Sequence, residues 1–272
     1  MPVETQPVAL VTGASAGIGE AAAHALVGAG FTVYGTSRRA TAGEKRDGVL
    51  FLPLDVTDDG SAAGVVREVL ERSGRIDVLV NNAGVGIAGA AEESSIEQAR
   101  ALFETNVFGS IRMTRAVLPH MREQGGGRII NVSSVLGLVP APFMALYAST
   151  KHAIEGYSES LDHEVREHGV RVLLVEPGYT NNAFDTNAVA VDEPLALYAR
   201  RREAFDVLTA AAVRAGDEPS VVSQVIVAAA TDTRPRLRYP AGTLARRVSK
   251  LRRYVPPAIF DKQIRKTSQL AA

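Results

Sequence analysis

Short, nearly uninterrupted runs of Val, Ile and Leu recur along this chain, each followed by a segment of helical length. The runs are Val8–Val11, Thr32–Gly35, Val49–Leu52, Val78–Val80, Ile129–Val132 and Val170–Val175. A strand covered on both faces is apolar at every position, whereas a strand with one wet face alternates. The segments between them, Ile18–Ala29, Ser61–Ser73, Ile96–Met121 and Tyr147–His168, have helical length and pattern. Repeated strand–helix alternation admits few solutions. The connections must be right-handed crossovers, and the sheet must be parallel with helices on both faces. The chain has 272 residues, enough for one such core, and shows no internal repeat or low-complexity linker. The expectation is an α/β, doubly wound, single-domain protein over residues 1–272.

The pattern changes after Pro177-Gly178. Residues 179–218 are richer in Ala, Arg and acids, with a helix expected over Pro194–Arg214, and this stretch is a candidate substrate-binding lid. A further helix over Ser220–Ala230 and a last strand at Leu237–Tyr239 are expected. The tail, 240–272, holds Pro240, Pro256 and Pro257, so its helices must be short and interrupted. Between Arg234 and Ala272 eleven Lys/Arg face one acid, Asp261. That stretch carries +10 within a chain of zero net charge. It reads as a solvated surface or subunit contact, or as a rim attracting anionic substrates. No recognition module accompanies it, so nucleic acid is not expected as a partner.

The chain lacks cysteine, which excludes disulfides and thiolate metal sites. Neither a basic leader with an apolar stretch nor a run of eighteen apolar residues is present. A cytoplasmic protein without integral membrane association is the expectation. His163-Glu164 and His168 almost form a zinc-binding helix motif, but the second histidine falls one residue late. No metal site is expected.

Two features carry chemistry. The first apolar run enters Thr12-Gly13-Ala14-Ser15-Ala16-Gly17-Ile18-Gly19 and then a helix. Glycines at a strand-to-helix turn let backbone approach a pyrophosphate, and the helix N-terminus offers free N–H groups and a positive dipole end. Gly13, Ser15, Ala16, Gly17, Ile18 and Gly19 are therefore candidate nucleotide contacts on a Rossmann-type sheet. After the second run, where an acid would select NAD through its ribose hydroxyl, stand Ser37, Arg38 and Arg39. Guanidinium groups there match a 2′-phosphate, so the expected cofactor is NADP.

The second feature is Tyr147 and Lys151 in YASTK, four residues apart and so on one helical face. A free tyrosine titrates near ~10, and an adjacent ammonium lowers that value toward neutrality. The pair suits proton transfer to or from an alcohol or carbonyl oxygen.

With these residues in view, the chain resembles the classical short-chain dehydrogenase/reductase family from about Val8 to Gly178. Thr12–Gly19 fits its glycine loop, Asn81-Asn82-Ala83-Gly84 its NNAG motif, and Asp55-Val56 its adenine-contacting pair. Asn106, Ser134, Tyr147 and Lys151 fit its catalytic positions, and Pro177-Gly178 its turn beyond the sixth strand. The resemblance implies that Tyr147 is general acid or base and that Lys151 lowers its pKa and holds the nicotinamide ribose. It implies that Ser134 binds the substrate oxygen, Asn106 positions a water leading to solvent, and the pro-S hydride is transferred. Asp55, Val56, Asn82, Ala83, Gly84, Pro177, Gly178, Thr180 and Asn182 become cofactor contacts by the same route. Two positions depart from the pattern. Ala16 replaces a frequent basic residue, and Asn182 stands where a threonine is usual, with Thr180 two residues earlier.

The resulting expectation is an NADP-dependent oxidoreductase that interconverts a secondary alcohol and a ketone. Reduction of a medium-sized apolar carbonyl, such as a steroid, retinoid, polyketide or acyl chain, is the expected direction. Relatives pair through the helices bearing Asn106 and Tyr147, so a homodimer or homotetramer is expected. The alternatives are a non-catalytic NADP-binding regulator or scaffold and a sugar epimerase or dehydratase. The intact Asn106, Ser134, Tyr147 and Lys151 set opposes the first, and the glycine spacing opposes the second.

Overall fold

The computed structural model describes residues 6–182, 184 and 188–268, without the side chains of Arg253 and Pro257. The expected lid and tail therefore include positions, 183, 185–187 and 269–272, outside the described residues. In chain order the elements begin with β1 (Val8–Val11), α1 (Gly17–Gly28), β2 (Thr32–Ser37), β3 (Lys45–Arg46), β4 (Val49–Pro53), α2 (Asp59–Ser73) and β5 (Val78–Asn81). There follow β6 (Ile87–Ala88), α3 (Ile96–Phe103), α4 (Gly109–Glu123), β7 (Gly127–Val132), α5 (Ala145–Val165) and β8 (Val170–Pro177). The last are β9 (Val189–Ala190), α6 (Ala199–Arg214), α7 (Pro219–Thr231), β10 (Arg238–Ala241), α8 (Gly242–Tyr254) and α9 (Pro257–Thr267).

Eight strands form one sheet in the order β10-β8-β7-β5-β1-β2-β4-β3, parallel except for β3 at the edge. The apolar runs are buried on both faces of this sheet. Ala9 and Val11 join a core with Leu26 of α1 and Ile226 of α7. Val8 and Leu10, one residue out of phase, join a core with Val66 of α2, Met113 of α4 and Leu161 of α5. Side chains alternate along a strand, so each β1 residue serves one of two helical layers. The expectation of a doubly wound sheet is borne out.

From β1 the chain builds outward through β2 and β4, then returns to the opposite side of β1 with β5. The strand order reverses between β1 and β5. Open α/β sheets bind ligands at the carboxyl end of such a switch point. That end is where Thr12-Gly13 and Asn82-Ala83-Gly84 leave their strands.

Three departures from the expected elements matter for the site. The single helix expected over Ile96–Met121 is two helices joined by a wide turn, Glu104–Phe108, with one extra residue per turn. β8 runs to Pro177 rather than Val175, which draws Glu176 into the buried sheet. Small strands β6 and β9 pair in parallel and tie the segment after β8 to the segment after β5, a contact with no period-2 signal long enough to read. Among the described residues no helix is long and apolar enough to cross a membrane, and no group of three or more His, Cys, Asp or Glu could hold a metal.

Candidate active site at the switch point

The two lips of the crevice are stitched together by Thr12. Its hydroxyl oxygen accepts the N–H groups of Asn82 and Ala83, both at 3.0 Å, and donates to Val80 O at 3.3 Å. Asn82 Nδ2 returns bonds to Thr12 O at 3.0 Å and Gly13 O at 3.1 Å. The turn can close this tightly only without side chains. A Cβ on Gly19 would fall 2.2 Å from Gly13 O and 2.4 Å from Asn82 Nδ2. Gly13 and Gly17 have φ of +65° and +61°, in the left-handed region that glycine enters without strain.

α1 has no side-chain cap at its N-terminus, whereas Asp58 caps α2 and Ser95 caps α3. Uncapped N–H groups at the mouth of the crevice are an anion site, and the bare glycine cradle fits a dinucleotide pyrophosphate. Arg38 and Arg39 follow β2 directly and are exposed. Thr57 holds Asp55 below the usual carboxylate range through its N–H at 2.9 Å and its hydroxyl at 2.7 Å, with help from the Arg38 and Arg112 charges. Val56 turns its side chain inward, against Gly109 of α4. Ser15 and Ala16 are exposed at the loop tip, and Ile18 packs against the α1 side of the core.

Asn182 lies across the loop. Its carboxamide would stand 3.5 Å from a Cβ on Gly17, and its Oδ1 accepts the Phe184 N–H at 2.8 Å. Thr180 is buried, bridged to Asp217. Gly178 follows β8, and a Cβ there would meet Leu244 of α8 at 3.3 Å. The structure thus gathers the glycine loop, the NNAG turn and the stretch after Pro177 at one end of the sheet.

Tyr147 and Lys151 occupy one face of α5 at that end. Lys151 Nζ lies 5.5 Å from the centroid of the Tyr147 ring and donates to Val132 O at 2.9 Å. Only 8% of either residue is exposed. Burial pushes Lys151 down to about 8, against the opposing pull of Glu155. Ser134 caps the turn Val135–Gly137, its Oγ accepting the Leu136 N–H at 3.1 Å. That bond leaves the hydroxyl proton for another acceptor.

Asn106 sits in the wide turn between α3 and α4. Its carboxamide accepts from Val85 N and donates to Val85 O, each at 2.9 Å, and donates to Thr150 Oγ1 at 3.3 Å. The extra residue of that turn aims Asn106 at the NNAG exit and at α5 together. Such turns recur at functional positions.

Aromatic rings cover the far side. Phe184 lies 5.8 Å from Tyr147, and Phe143 lies 5.6 Å from Phe205 and 6.4 Å from Tyr198. Phe143 has φ of +62°, a conformation costing a bulky residue on the order of 1–3 kcal/mol. Buried Glu93 holds the cover in place by accepting the Leu195 N–H at 2.8 Å and pairing with Arg202 of α6.

Sequence reasoning passed over a second set of residues beneath Lys151: Ser133, Glu155, Glu176 and Arg238. Glu155 follows Lys151 by four residues on the same helical face, and Glu176 interrupts an otherwise apolar strand, VRVLLVEP. Both are readable signals, for a helical neighbour and for a buried charge in a strand covered on both faces.

A family model described as short chain dehydrogenase matches residues 7–192. A 3-ketodihydrosphingosine reductase from Bacteroides thetaiotaomicron is 43% identical over 180 residues, 66% of this chain and 66% of that one, just under two thirds of its length. An uncharacterized oxidoreductase, YusZ of Bacillus subtilis, is 37% identical over 86% of this chain and 89% of its own. A short-chain dehydrogenase structure from Streptomyces avermitilis superposes with a TM-score of 0.82 at 37% identity, covering 97% of this chain and 99% of that one. Two Burkholderia structures of similar fold hold different cofactors. The one from B. phymatum is complexed with NAD (28% identity, TM-score 0.75, 87% of this chain and 90% of that one). The one from B. cenocepacia is complexed with NADP (26%, 0.75, 96% and 98%). Likeness in sequence over most of the length, and in backbone over nearly all of it, places this chain in the short-chain dehydrogenase family, an oxidoreductase built for a nicotinamide cofactor.

Proposed function

We propose that the protein is an NADPH-dependent carbonyl reductase in which Tyr147 is the proton donor. The observation that carries this reading is the buried Lys151 ammonium beside the Tyr147 ring, at the mouth of the glycine-lined crevice. A cation in a water-poor site favours the phenolate and so makes the phenol a readier acid. Tyr147 gives its proton to the carbonyl oxygen as that oxygen gains charge. Ser134, its own oxygen already engaged by Leu136, donates a hydrogen bond to the same atom. Lys151 is oriented by Val132 O and has two further N–H bonds to offer ribose hydroxyls. Asn106 fixes the NNAG exit to α5 and holds Thr150 beside the lysine. When bound, the nicotinamide supplies the hydride.

Gly13, Gly17 and Gly19 with the α1 N-terminus hold the pyrophosphate, Asp55 and Asn82–Gly84 flank the adenosine side, and Asn182 closes over the loop. Arg38, exposed where an NAD enzyme has an acid, binds the 2′-phosphate with Arg39 beside it. The described residues of the segment after Gly178 cover the substrate. Phe143, Phe184, Tyr198 and Phe205 line that cover with rings, which suits a medium-sized apolar ketone. The name of the Bacteroides relative, 3-ketodihydrosphingosine reductase, agrees with reduction of a ketone.

The test follows NADPH oxidation against a panel of apolar ketones. Tyr147→Phe should lose at least about 10²-fold in kcat while NADPH binding by fluorescence is kept. Undiminished turnover in that variant overturns the assignment.

A further inference from the structure

Directly beneath the Tyr147–Lys151 pair lies a pocket of charge that the reaction as written does not use. Glu155 of α5 is 4% exposed and Glu176 of β8 is fully buried, yet among the described residues only one cation, Arg238 of β10, pairs with both. Arg238 Nε stands 3.1 Å from Glu155 Oε2 and 3.3 Å from Glu176 Oε1, and its Nη2 turns outward to Glu159 at 3.0 Å. Both Glu176 oxygens and Glu155 Oε1 are buried without a hydrogen-bond partner. Arg238 is shared with Glu159, and Glu155 already faces Lys151, so an ionised Glu176 has no cation of its own in a dry interior, a costly state that a retained proton removes. The pair is also built against the machinery. Glu155 is one helical turn from Lys151. A Cβ on Gly137, in the Ser134 turn, would fall 2.7 Å from Ser133 Oγ and 3.2 Å from Glu155 Oε1. The turn carrying Ser134 therefore rests on the Glu155 carboxyl.

Resting on the reductase reading above, we propose that Glu155 and Glu176 share one proton over Arg238 and act as positioning residues. The Glu155 charge sets the pH range in which Lys151 stays an ammonium, and its carboxyl supports the Ser134 turn from below, while Glu176 takes the proton that leaves Glu155 charged. Among the described residues, the titratable and charged groups packed on the pair fit this role. On α5 these are Lys151, His152 and Glu159; on β10, Arg238. α8 packs on β8 and β10 but sends Arg252 to Leu138 O and leaves Arg246 and Arg247 exposed. The electrostatics agree. Burial and the neighbouring Glu155 charge push Glu176 up to about 8 despite Arg238, and burial raises Glu155 against the hydroxyl of Ser133 and the charge of Arg238. The direct bond from Arg238 to Glu155 Oε2 favours negative charge on Glu155, facing Lys151, and Glu176, without a hydrogen bond, is the better holder of the proton.

The test has two arms on the full-length protein. Infrared spectroscopy of the wild type at neutral pH should show the carbonyl stretch of a protonated, buried carboxyl, titrating away in the alkaline range. Glu176→Gln should remove it, and Glu159→Gln should not. In pH profiles of ketone reduction, Glu155→Gln should move the alkaline limb down by about one unit, because Lys151 loses its supporting charge. Glu176→Gln leaves Glu155 ionised and should leave the limb in place, as should Glu159→Gln. A Glu155→Gln enzyme slowed equally at every pH, or a wild type without the carboxyl signal, overturns the proposal. If the wild type reduces no ketone, the reductase reading fails alone. The Lys151 range is then read from the pH at which the stability gain of Lys151→Met fades, which should be lower in the Glu155→Gln background. If Glu155→Gln does not fold, the infrared arm on Glu176→Gln still decides whether a proton is shared.

Discussion

Lys151 should make the apo protein less stable, and replacing it should show by how much. Its ammonium is buried, and burial brings its pKa from 10.5 down to about 8. The unfolded chain therefore binds more protons than the folded one between those values, so the lysine's contribution to stability rises with pH there. Below about 8 it holds a constant penalty, and above 10.5 none. A gap of that size corresponds to about 3 kcal/mol against the folded state at neutral pH. Lys151→Met keeps the length of the side chain and removes the charge. It also removes the 2.9 Å bond to Val132 O, a loss of about 1 kcal/mol. The net expectation at pH 7 is a gain of about 2 kcal/mol, or roughly 4 °C in Tm for a chain of this size. The gain should fade as pH rises from 8 to 10.5 and vanish or reverse beyond. Urea titrations of wild type and variant at pH 6, 7, 9 and 11 measure it, and activity should be lost throughout. A variant less stable than wild type at pH 7, or a gain independent of pH, would refute the reasoning.

The other predictions need simpler assays. Arg38→Asp should weaken NADPH binding by at least about tenfold and bring NADH binding up, read by fluorescence titration with both cofactors. Gly19→Ala forces a Cβ to 2.2 Å from Gly13 O, so it should cost about 3 kcal/mol in chemical denaturation and abolish cofactor binding. Asp162 is fully buried. Burial acts to raise it, but bonds from Arg171, Val172 N and Arg166 outweigh this and hold it below the usual carboxylate range. Its support is present above the ordinary carboxylate pKa and lost as pH falls through the lowered value. Asp162→Asn should cost about 3 kcal/mol at neutral pH, with the gap to wild type closing in acid.

Much of the fold was legible because strands buried on both faces leave an unmistakable mark. Each of the six apolar runs became a strand of the main sheet, and β1 feeds both cores through alternate residues. The nucleotide turn was legible because its glycines answer to backbone geometry that no other residue meets. Three things were less so. The wide turn at Glu104–Phe108 has no local sequence cue, since one extra residue in a helix changes no periodicity over so short a span. The β6–β9 pairing joins two-residue strands about a hundred positions apart. The cover over the site depends on Glu93 binding Arg202, a contact set by tertiary packing alone.

The buried polar groups of this protein divide into two kinds. Away from the crevice many are paired, although Asn81 Oδ1, Ser94 Oγ and Gln98 Oε1 have no hydrogen-bond partner. Asn81 Nδ2 donates to Asn131, Thr114 and Ser110, Asn131 Nδ2 donates to Ser158, and Asp162 takes four donors from Arg166, Arg171 and Val172. Beneath Tyr147, Lys151 is held charged at a cost, and Glu155 Oε1 and both Glu176 oxygens lack a hydrogen-bond partner, with Arg238 the cation beside them. A fold that satisfies Asp162 so fully has the means to satisfy Glu176 as well, for instance with an apolar or amide side chain at that position. Among the described residues, the buried carboxylate oxygens in that unpartnered state lie beneath the Tyr147–Lys151 pair. Such confinement is expected where stability is given up for a titrating group held ready, and not where packing has merely failed. By the same reasoning, the stability gain of Glu176→Gln should be least below pH 4.5, where folded and unfolded chains both hold the proton, should grow as pH rises from 4.5 to about 8, and should be greatest above that.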